Sequence, residues 1–188
     1  MNKAFFLDRD GTINVDYDYV HRPDEWTWCK DAIKALQWMK DEGYKIIIVT
    51  NQSGIARGRY TDKHVEELHE WVDEQLKPYG IHIDGWYYSP YHPDYHEDKD
   101  PHLLKLRKPD VGMFMQAKEE HDIDFKKSFM AGDKITDLKP AIKLGMKSYF
   151  IRSRHEPNQD KKWLRKHNIS IHDTLWDAVQ TIQKEELA

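Results

Sequence analysis

The stretch Ala4-Phe5-Phe6-Leu7-Asp8-Arg9-Asp10-Gly11-Thr12 decides how the chain is read. Four consecutive apolar residues that stop abruptly at charges are expected of a strand buried on both faces of a parallel sheet, which sets the first strand at residues 4–7. Asp8 and Asp10 then stand two residues apart at the mouth of that strand, where desolvation and mutual repulsion disfavour both carboxylates unless a cation compensates them. Magnesium suits such all-oxygen ligation and usually keeps waters and substrate phosphate in its shell. In this reading Asp8 binds the ion and attacks phosphorus, Asp10 protonates the leaving oxygen and later activates water, and Gly11 turns the chain away. Alone, an Asp-x-Asp-Gly segment is more often a plain turn initiator, so the reading depends on what the rest of the chain supplies.

Outward from that strand, residues 31–42 place Ala32, Ala35, Leu36 and Met39 at helical spacing before Gly43, and residues 44–49 form a second apolar strand. Thr61 caps a helix whose Val65, Leu68, Val72 and Leu76 make one stripe, closed by Pro78 and Gly80. A third strand is expected at 81–88. Residues 89–110 hold four prolines and three histidines without sustained periodicity and read as a loop. A helix at 111–120, a strand at 128–131, a helix at 136–144, a strand at 147–151, a charged segment at 152–167, an edge strand at 169–171 and a helix at 174–184 complete the chain. The alternation predicts an α/β fold: a three-layer, Rossmann-like parallel sheet with helices on both faces, in one domain spanning residues 1–188. Ligands in such sheets bind beyond the carboxyl ends of the strands.

The polar residues at those ends form a set. Thr50 offers a hydroxyl after the second strand, and the Asn51 and Gln52 amides lie in a turn able to donate to phosphate oxygens, although an ordinary cap explains the segment equally well. Arg107-Lys108-Pro109 precedes a helix; Lys108 can neutralise a phosphoryl group and the nucleophile together, whereas a basic pair is ordinarily solvated surface. Gly132-Asp133-Lys134, with Asp137 four residues beyond Asp133, supplies a further carboxylate ligand, against the alternative of a Gly-Asp turn. Each signal is modest singly, and their order after successive strands makes them specific.

The 188 residues carry 29 basic and 33 acidic side chains, a net charge of −4, which points to a small-molecule partner rather than nucleic acid. There is no apolar run of membrane-spanning length and no signal-like start, so a cytoplasmic location without membrane attachment is expected; a monomer is expected as well. The single cysteine, Cys29, excludes an internal disulfide.

The ordered motifs resemble those of the haloacid-dehalogenase-like phosphatases over residues 4–152. The resemblance implies Asp8 as nucleophile, Asp10 as acid/base, Thr50 and Lys108 as phosphoryl stabilisers, and Mg2+ held by Asp8, Asp10 (through its backbone carbonyl) and Asp133, with Asp137 behind. Residues 8–15, Tyr19-Val20-His21, residues 50–57, Arg107-Lys108-Pro109 and Gly132-Asp133-Lys134 are similar in more detail to the D-glycero-D-manno-heptose 1,7-bisphosphate 7-phosphatases, with a minimal cap, no separate cap domain, and the loop 89–110 framing the active site. On that likeness the substrate is a sugar phosphate of heptose and lipopolysaccharide precursor synthesis. Asp16, Tyr17, Asp18, Tyr19, Thr50, Asn51, Gln52 and Ser53 would touch it, Arg107 would hold its distal phosphate or hydroxyls, and Lys134 would support the site. Competing expectations are a histidinol-phosphate phosphatase, a polynucleotide 3'-phosphatase, or a non-catalytic binding protein on the same fold.

One departure stands out. Where many members of that family bind zinc through cysteines and a histidine, this chain has Ser89, Tyr91, Leu104 and Leu106, so no structural zinc is expected and packing is expected to hold the loop. His92, His96 and His102 beside Asp94, Asp98 and Asp100 are read mainly as solvated. The charged segment is read as a solvated helix face, Trp26, Trp28 and Trp38 as packing, and His21 as either a substrate contact or a loop-fixing group.

Overall fold

The computed structural model describes residues 1–95, 101–154 and 160–188. Its strands are β1 (Ala4–Leu7), β2 (Lys45–Asn51), β3 (Gly85–Ser89), β4 (Phe129–Gly132), β5 (Lys147–Ile151) and β6 (Ile171–His172). They form one sheet in the order β3-β2-β1-β4-β5-β6, and every pairing is parallel. The helices are α1 (Ala32–Asp41), α2 (Asp62–Leu76), α3 (Pro101–Leu104), α4 (Gly112–His121), α5 (Ile135–Lys143), α6 (Lys161–Lys166) and α7 (Leu175–Leu187).

Alternation along each strand feeds two cores. Phe5 and Leu7 of β1 with Ile46 and Ile48 of β2 face one layer, where Leu36 of α1, Leu68 of α2 and Val179 of α7 pack. Ala4, Phe6, Ile47 and Val49 face the other, with Phe114 of α4, Leu138 of α5 and Leu164 of α6. All of β1 is buried; full burial of each Phe or Leu contributes roughly 1.5–3 kcal/mol, which makes the central strand a rigid mount for the residues that follow it. The chain runs outward from β1 to β3 and then returns to β4 beside β1, so the crevice where strand order reverses opens at the carboxyl ends of β1 and β4.

Several boundaries differ from the sequence expectation. β3 starts at Gly85 rather than at 81, because Asp84 takes over the ladder locally: its amide donates to the Ile46 carbonyl at 2.9 Å and its carboxylate accepts the Ile46 amide at 2.8 Å. Ile81 and Ile83 still bury in the core, which gave them a strand-like pattern. The edge strand pairs through Ile171 and His172, with Ile169 packed into the second core instead. The expected loop 89–110 contains the short α3, and the charged segment contains α6, tied down by a fully buried Leu164. No helix among the described residues is long and apolar enough to cross a membrane.

Candidate active site

Three carboxylates from separate segments meet at the crevice. Asp8 follows β1, Asp133 follows β4 and Asp137 lies in the first turn of α5; all are buried, and each offers an oxygen within 4.8 Å of the others. Lys108 Nζ donates to Asp8 Oδ1 at 2.9 Å, Asp137 Oδ1 at 2.5 Å and the Val49 carbonyl at 2.7 Å. The Lys134 amide donates to Asp137 Oδ2 at 3.1 Å, and Ser153 Oγ donates to Asp133 Oδ2 at 2.7 Å. Asp133 Oδ1 is buried without a hydrogen-bond partner among the described residues.

This charge balance is the main physical fact of the site. Burial, then the nearby Asp137, raises the Asp8 carboxyl against the opposing pull of Lys108. Burial followed by Asp8 and Asp137 holds Asp133 well above the ordinary carboxylate range. Burial works against the Lys108 charge, yet Asp137 and Asp8 outweigh it and push its pKa up; Lys134 is raised against burial in the same way by Asp133, Asp8 and Asp137. Crowded oxygens, one of them orphaned, fit a hard divalent cation. Gly11 lets the catalytic loop pass: its φ of +84° is left-handed, and an added Cβ would run into the Asp133 carboxylate.

Asp10 faces a different set of groups. Its carboxylate accepts from Arg9 Nη2 at 2.9 Å, Asn14 Nδ2 at 3.0 Å and Gln52 Nε2 at 3.0 Å. Burial opposes ionisation, but Arg9 and these hydrogen bonds prevail and hold the carboxyl below its usual range. Arg9 is fully buried and also donates to the Val20 carbonyl at 2.7 Å. Its Nη1 lies 3.2 Å from His69 Nε2, and the His69 ring stacks on Trp86 at 4.0 Å. Burial and then Arg9 drive the His69 pKa well below its ordinary value, leaving a neutral ring that can accept the bond. Gln52 is fixed in turn by Tyr60, whose hydroxyl donates to its Oε1 at 2.6 Å.

Most of the residues marked from the sequence line two adjoining cavities. Asp8, Asp10, Asn51, Ser53, Arg107, Lys108 and Lys134 line one cavity of about 280 Å³. Asp10, Asp16, Asp18, Tyr19, Gln52, Ser53 and Lys134 line an adjoining one of about 210 Å³. Thr50 is buried behind them, its Oγ1 accepting from Gln52 Nε2 at 2.8 Å, and Tyr17 is exposed on neither wall. The carboxylate grouping that can hold a metal comprises Asp8, Asp133 and Asp137, while the Asp10 side chain points elsewhere.

One expectation is corrected: the Gln52 amide donates to the Ser89 carbonyl at 2.7 Å and is not open to a phosphate, because Gln52 extends the sheet edge. Asn51 is a clip, with its Nδ2 donating to the Lys108 carbonyl and its Oδ1 accepting the Lys108 amide, both at 3.0 Å. Arg107 Nη1 donates to the Tyr91 carbonyl at 3.2 Å, and Leu106 packs on the second core, so the 89–95 segment and the approach to Lys108 brace each other. His92 accepts the Asp94 amide at 3.2 Å; His96, Asp98 and Asp100 lie outside the described residues. His21 stacks on Tyr60 at 4.8 Å with its Nδ1 2.8 Å from the Tyr19 carbonyl, and so fixes the loop. Trp26 and Trp28 pack edge to face, and Trp38 stacks on Tyr44.

Sequence reading missed Arg9, Asn14, Tyr60, His69, Ser153 and Arg154. Ser153 and Arg154 directly follow a predicted strand, the position where site residues gather, but were absorbed into a charged segment. His69 gave no signal, since a histidine on a helical stripe is most simply a core residue.

Comparison with known proteins agrees with this geometry. Residues 3–180 match the family described as polynucleotide kinase 3 phosphatase. A D-glycero-beta-D-manno-heptose-1,7-bisphosphate 7-phosphatase of Photorhabdus laumondii is 44% identical over 183 residues, covering 96% of this chain and 97% of that protein. The one from Haemophilus influenzae is 47% identical over 146 residues, 76% of this chain and 77% of its own. The crystal structure of D,D-heptose 1,7-bisphosphate phosphatase from B. bronchiseptica, complexed with magnesium and phosphate, superposes with a TM-score of 0.80 at 25% identity, covering 97% of this chain and 99% of that one. The chain therefore belongs to the haloacid-dehalogenase-like phosphatases, in the family described as polynucleotide kinase 3 phosphatase. Within it, the relatives matched over most of their length carry the heptose-bisphosphate phosphatase name.

Proposed function

We propose that this enzyme hydrolyses the 7-phosphate of D-glycero-D-manno-heptose 1,7-bisphosphate through an aspartyl-phosphate on Asp8. The observation that carries the reading is the meeting of Asp8, Lys108, Asp10 and Asp137 on one cavity of about 280 Å³, with the Asp133 carboxylate beside Asp8 and Asp137. Asp8, the Asp10 carbonyl and Asp133 would hold magnesium, with Asp137 occupied by Lys108 and the Lys134 amide. When bound, the ion neutralises the crowded carboxylates and polarises the phosphoryl oxygens.

The chain's own groups supply the rest. The Asp8 carboxylate, mounted on a rigid strand, attacks phosphorus while Lys108 stabilises the equatorial oxygens, and Thr50 backs the site by holding Gln52 through its Oγ1. Asp10 delivers a proton to the leaving sugar oxygen and then takes one from the water that attacks the acyl phosphate. Arg9, Asn14 and Gln52 hold Asp10 ionised at rest, which suits its role as base. An arriving phosphate dianion raises the Asp10 pKa by like-charge repulsion, which suits its role as acid. Arg107 lines the same cavity, and a fork-shaped guanidinium there would suit the second phosphate.

The mixed surface charge and net charge of −4 support a small substrate over a polynucleotide, and we read the enzyme as a cytoplasmic monomer. A phosphate-release assay with magnesium, comparing heptose bisphosphate, sugar monophosphates, histidinol phosphate and a 3'-phosphorylated oligonucleotide, tests the proposal. The highest kcat/KM is expected for the heptose bisphosphate. Preference for histidinol phosphate or the oligonucleotide would overturn the substrate assignment.

A further inference from the structure

The loop at residues 16–19 holds two consecutive non-glycine residues in the left-handed region, Asp18 at φ 64° and Tyr19 at φ 58°. There Cβ crowds the following carbonyl oxygen, and such a pair persists where its surroundings enforce it. The enforcement comes from far along the chain. Arg154 grips Asp18 with both terminal nitrogens, Nη1 donating to Oδ2 at 3.1 Å and Nη2 to Oδ1, and its Nη2 also reaches Asp16 Oδ2 at 3.4 Å. Asp16 Oδ1 accepts the Asp18 amide at 3.0 Å, and the Arg59 guanidinium lies 4.2 Å over the Tyr19 ring. Asp16, Asp18, Tyr19 and Arg154 together wall the cavity of about 210 Å³ that opens beside Asp10 and Lys134.

Exposed ion pairs usually contribute little. This one differs in its two-pronged geometry and in the burial of Asp16, whose side chain is 10% exposed. One guanidinium between two carboxylates leaves the cluster with a net negative charge, so it repels phosphate and suits the hydroxyls of a neutral polyol segment. Its atoms are also separate from the Lys108, Asp8 and Asp137 contacts that serve the reacting phosphate.

We propose that Arg154 is a positioning residue that sets substrate specificity, locking Asp16 and Asp18 so that the left-handed turn at 18–19 forms the wall against the sugar's hydroxyl-bearing part. The inference rests on the sugar-phosphate reading above and adds the residue that selects for the sugar.

The test uses the full chain with magnesium, assayed on heptose bisphosphate and on p-nitrophenyl phosphate, which lacks the polyol. Arg154→Ala should raise KM for the bisphosphate by about tenfold with kcat changed less than about threefold, and cost the aryl ester far less. Amides at 16–20 should exchange hydrogen faster, and Arg154→Lys should recover part of the KM because it keeps one donor to Asp18. Asp18→Asn, which keeps the backbone but weakens the grip, should repeat the pattern more mildly. Equal losses on both esters, or unchanged exchange at 16–20, would overturn the proposal. If the parent enzyme turns over neither ester, the phosphatase reading itself fails, and the exchange data still judge the clamp.

Discussion

Replacing Lys108 by Met removes the ammonium that lies between Asp8 and Asp137, at 2.9 and 2.5 Å, while keeping a stem of similar length. At an effective dielectric constant of about 20, unit charges at these separations attract by roughly 6 kcal/mol each. Desolvation of each ion opposes this by several kcal/mol, and deleting one partner of a buried pair costs about 3–5 kcal/mol in net terms. That loss depends on ionised carboxylates. Lys108 has a raised pKa, so its own contribution is complete below its unfolded pKa and does not vary between pH 5 and 8. Asp8 and Asp133 have raised pKa values; the unfolded chain ionises them at lower pH than the fold does, so they oppose folding increasingly as pH rises from their unfolded values toward their raised folded ones. Without Lys108 the opposition grows. Urea unfolding in EDTA should therefore show the variant losing about 3–5 kcal/mol at pH 8 and distinctly less at pH 5, and magnesium should stabilise the variant by binding the freed carboxylates. A loss under about 1 kcal/mol at pH 8, or one that does not shrink on acidification, would refute the argument that Lys108 balances a crowded anionic site.

Gly11→Ala should cost about 2 kcal/mol or more and weaken magnesium binding, because the left-handed backbone and the Asp133 carboxylate both reject a Cβ; thermal unfolding and a magnesium titration check it. Asp8→Asn should end turnover while leaving the melting temperature in EDTA unchanged or raised, since it removes one of three buried carboxylates; calorimetry with a phosphate-release assay decides. His69 is held neutral in the fold while the unfolded histidine takes a proton below about pH 6.5, so stability falls as pH drops from there. His69→Gln should flatten that slope, read as urea midpoints between pH 7 and 5. EDTA should stop turnover and magnesium should restore it, measured by phosphate release.

The strand-end carboxylates were legible in sequence because each sits where an apolar run stops, and a parallel sheet gathers those ends at one edge. Asp8, Asp133 and Asp137 are brought together from positions up to 129 apart because β1 and β4 are neighbours, and Lys108 reaches them from the segment before α4, clipped to the end of β2 by Asn51. Groups that act from behind were not legible. Arg9 lies within the first motif, yet its partner His69 comes from the middle of α2 and is recognisable as an acceptor only once Trp86 stacks on it and burial makes it neutral. Gln52 looked like a phosphate donor from its place after β2; its amide was claimed by Ser89 because pairing continues one residue past Asn51. Arg154 was hidden by composition: among many charges in one segment, position at the end of β5 distinguished it, whereas charge did not.

The central claim is that the carboxylate of Asp8 becomes phosphorylated during turnover. Quenching the enzyme in mid-turnover with heptose bisphosphate and magnesium, reducing with borohydride and sequencing peptides by mass spectrometry reads this directly, since an acyl phosphate is reduced to an alcohol and an untouched carboxylate is not. The account predicts homoserine at position 8 and nowhere else; homoserine at another position, or unmodified Asp8 under conditions of full turnover, would contradict it.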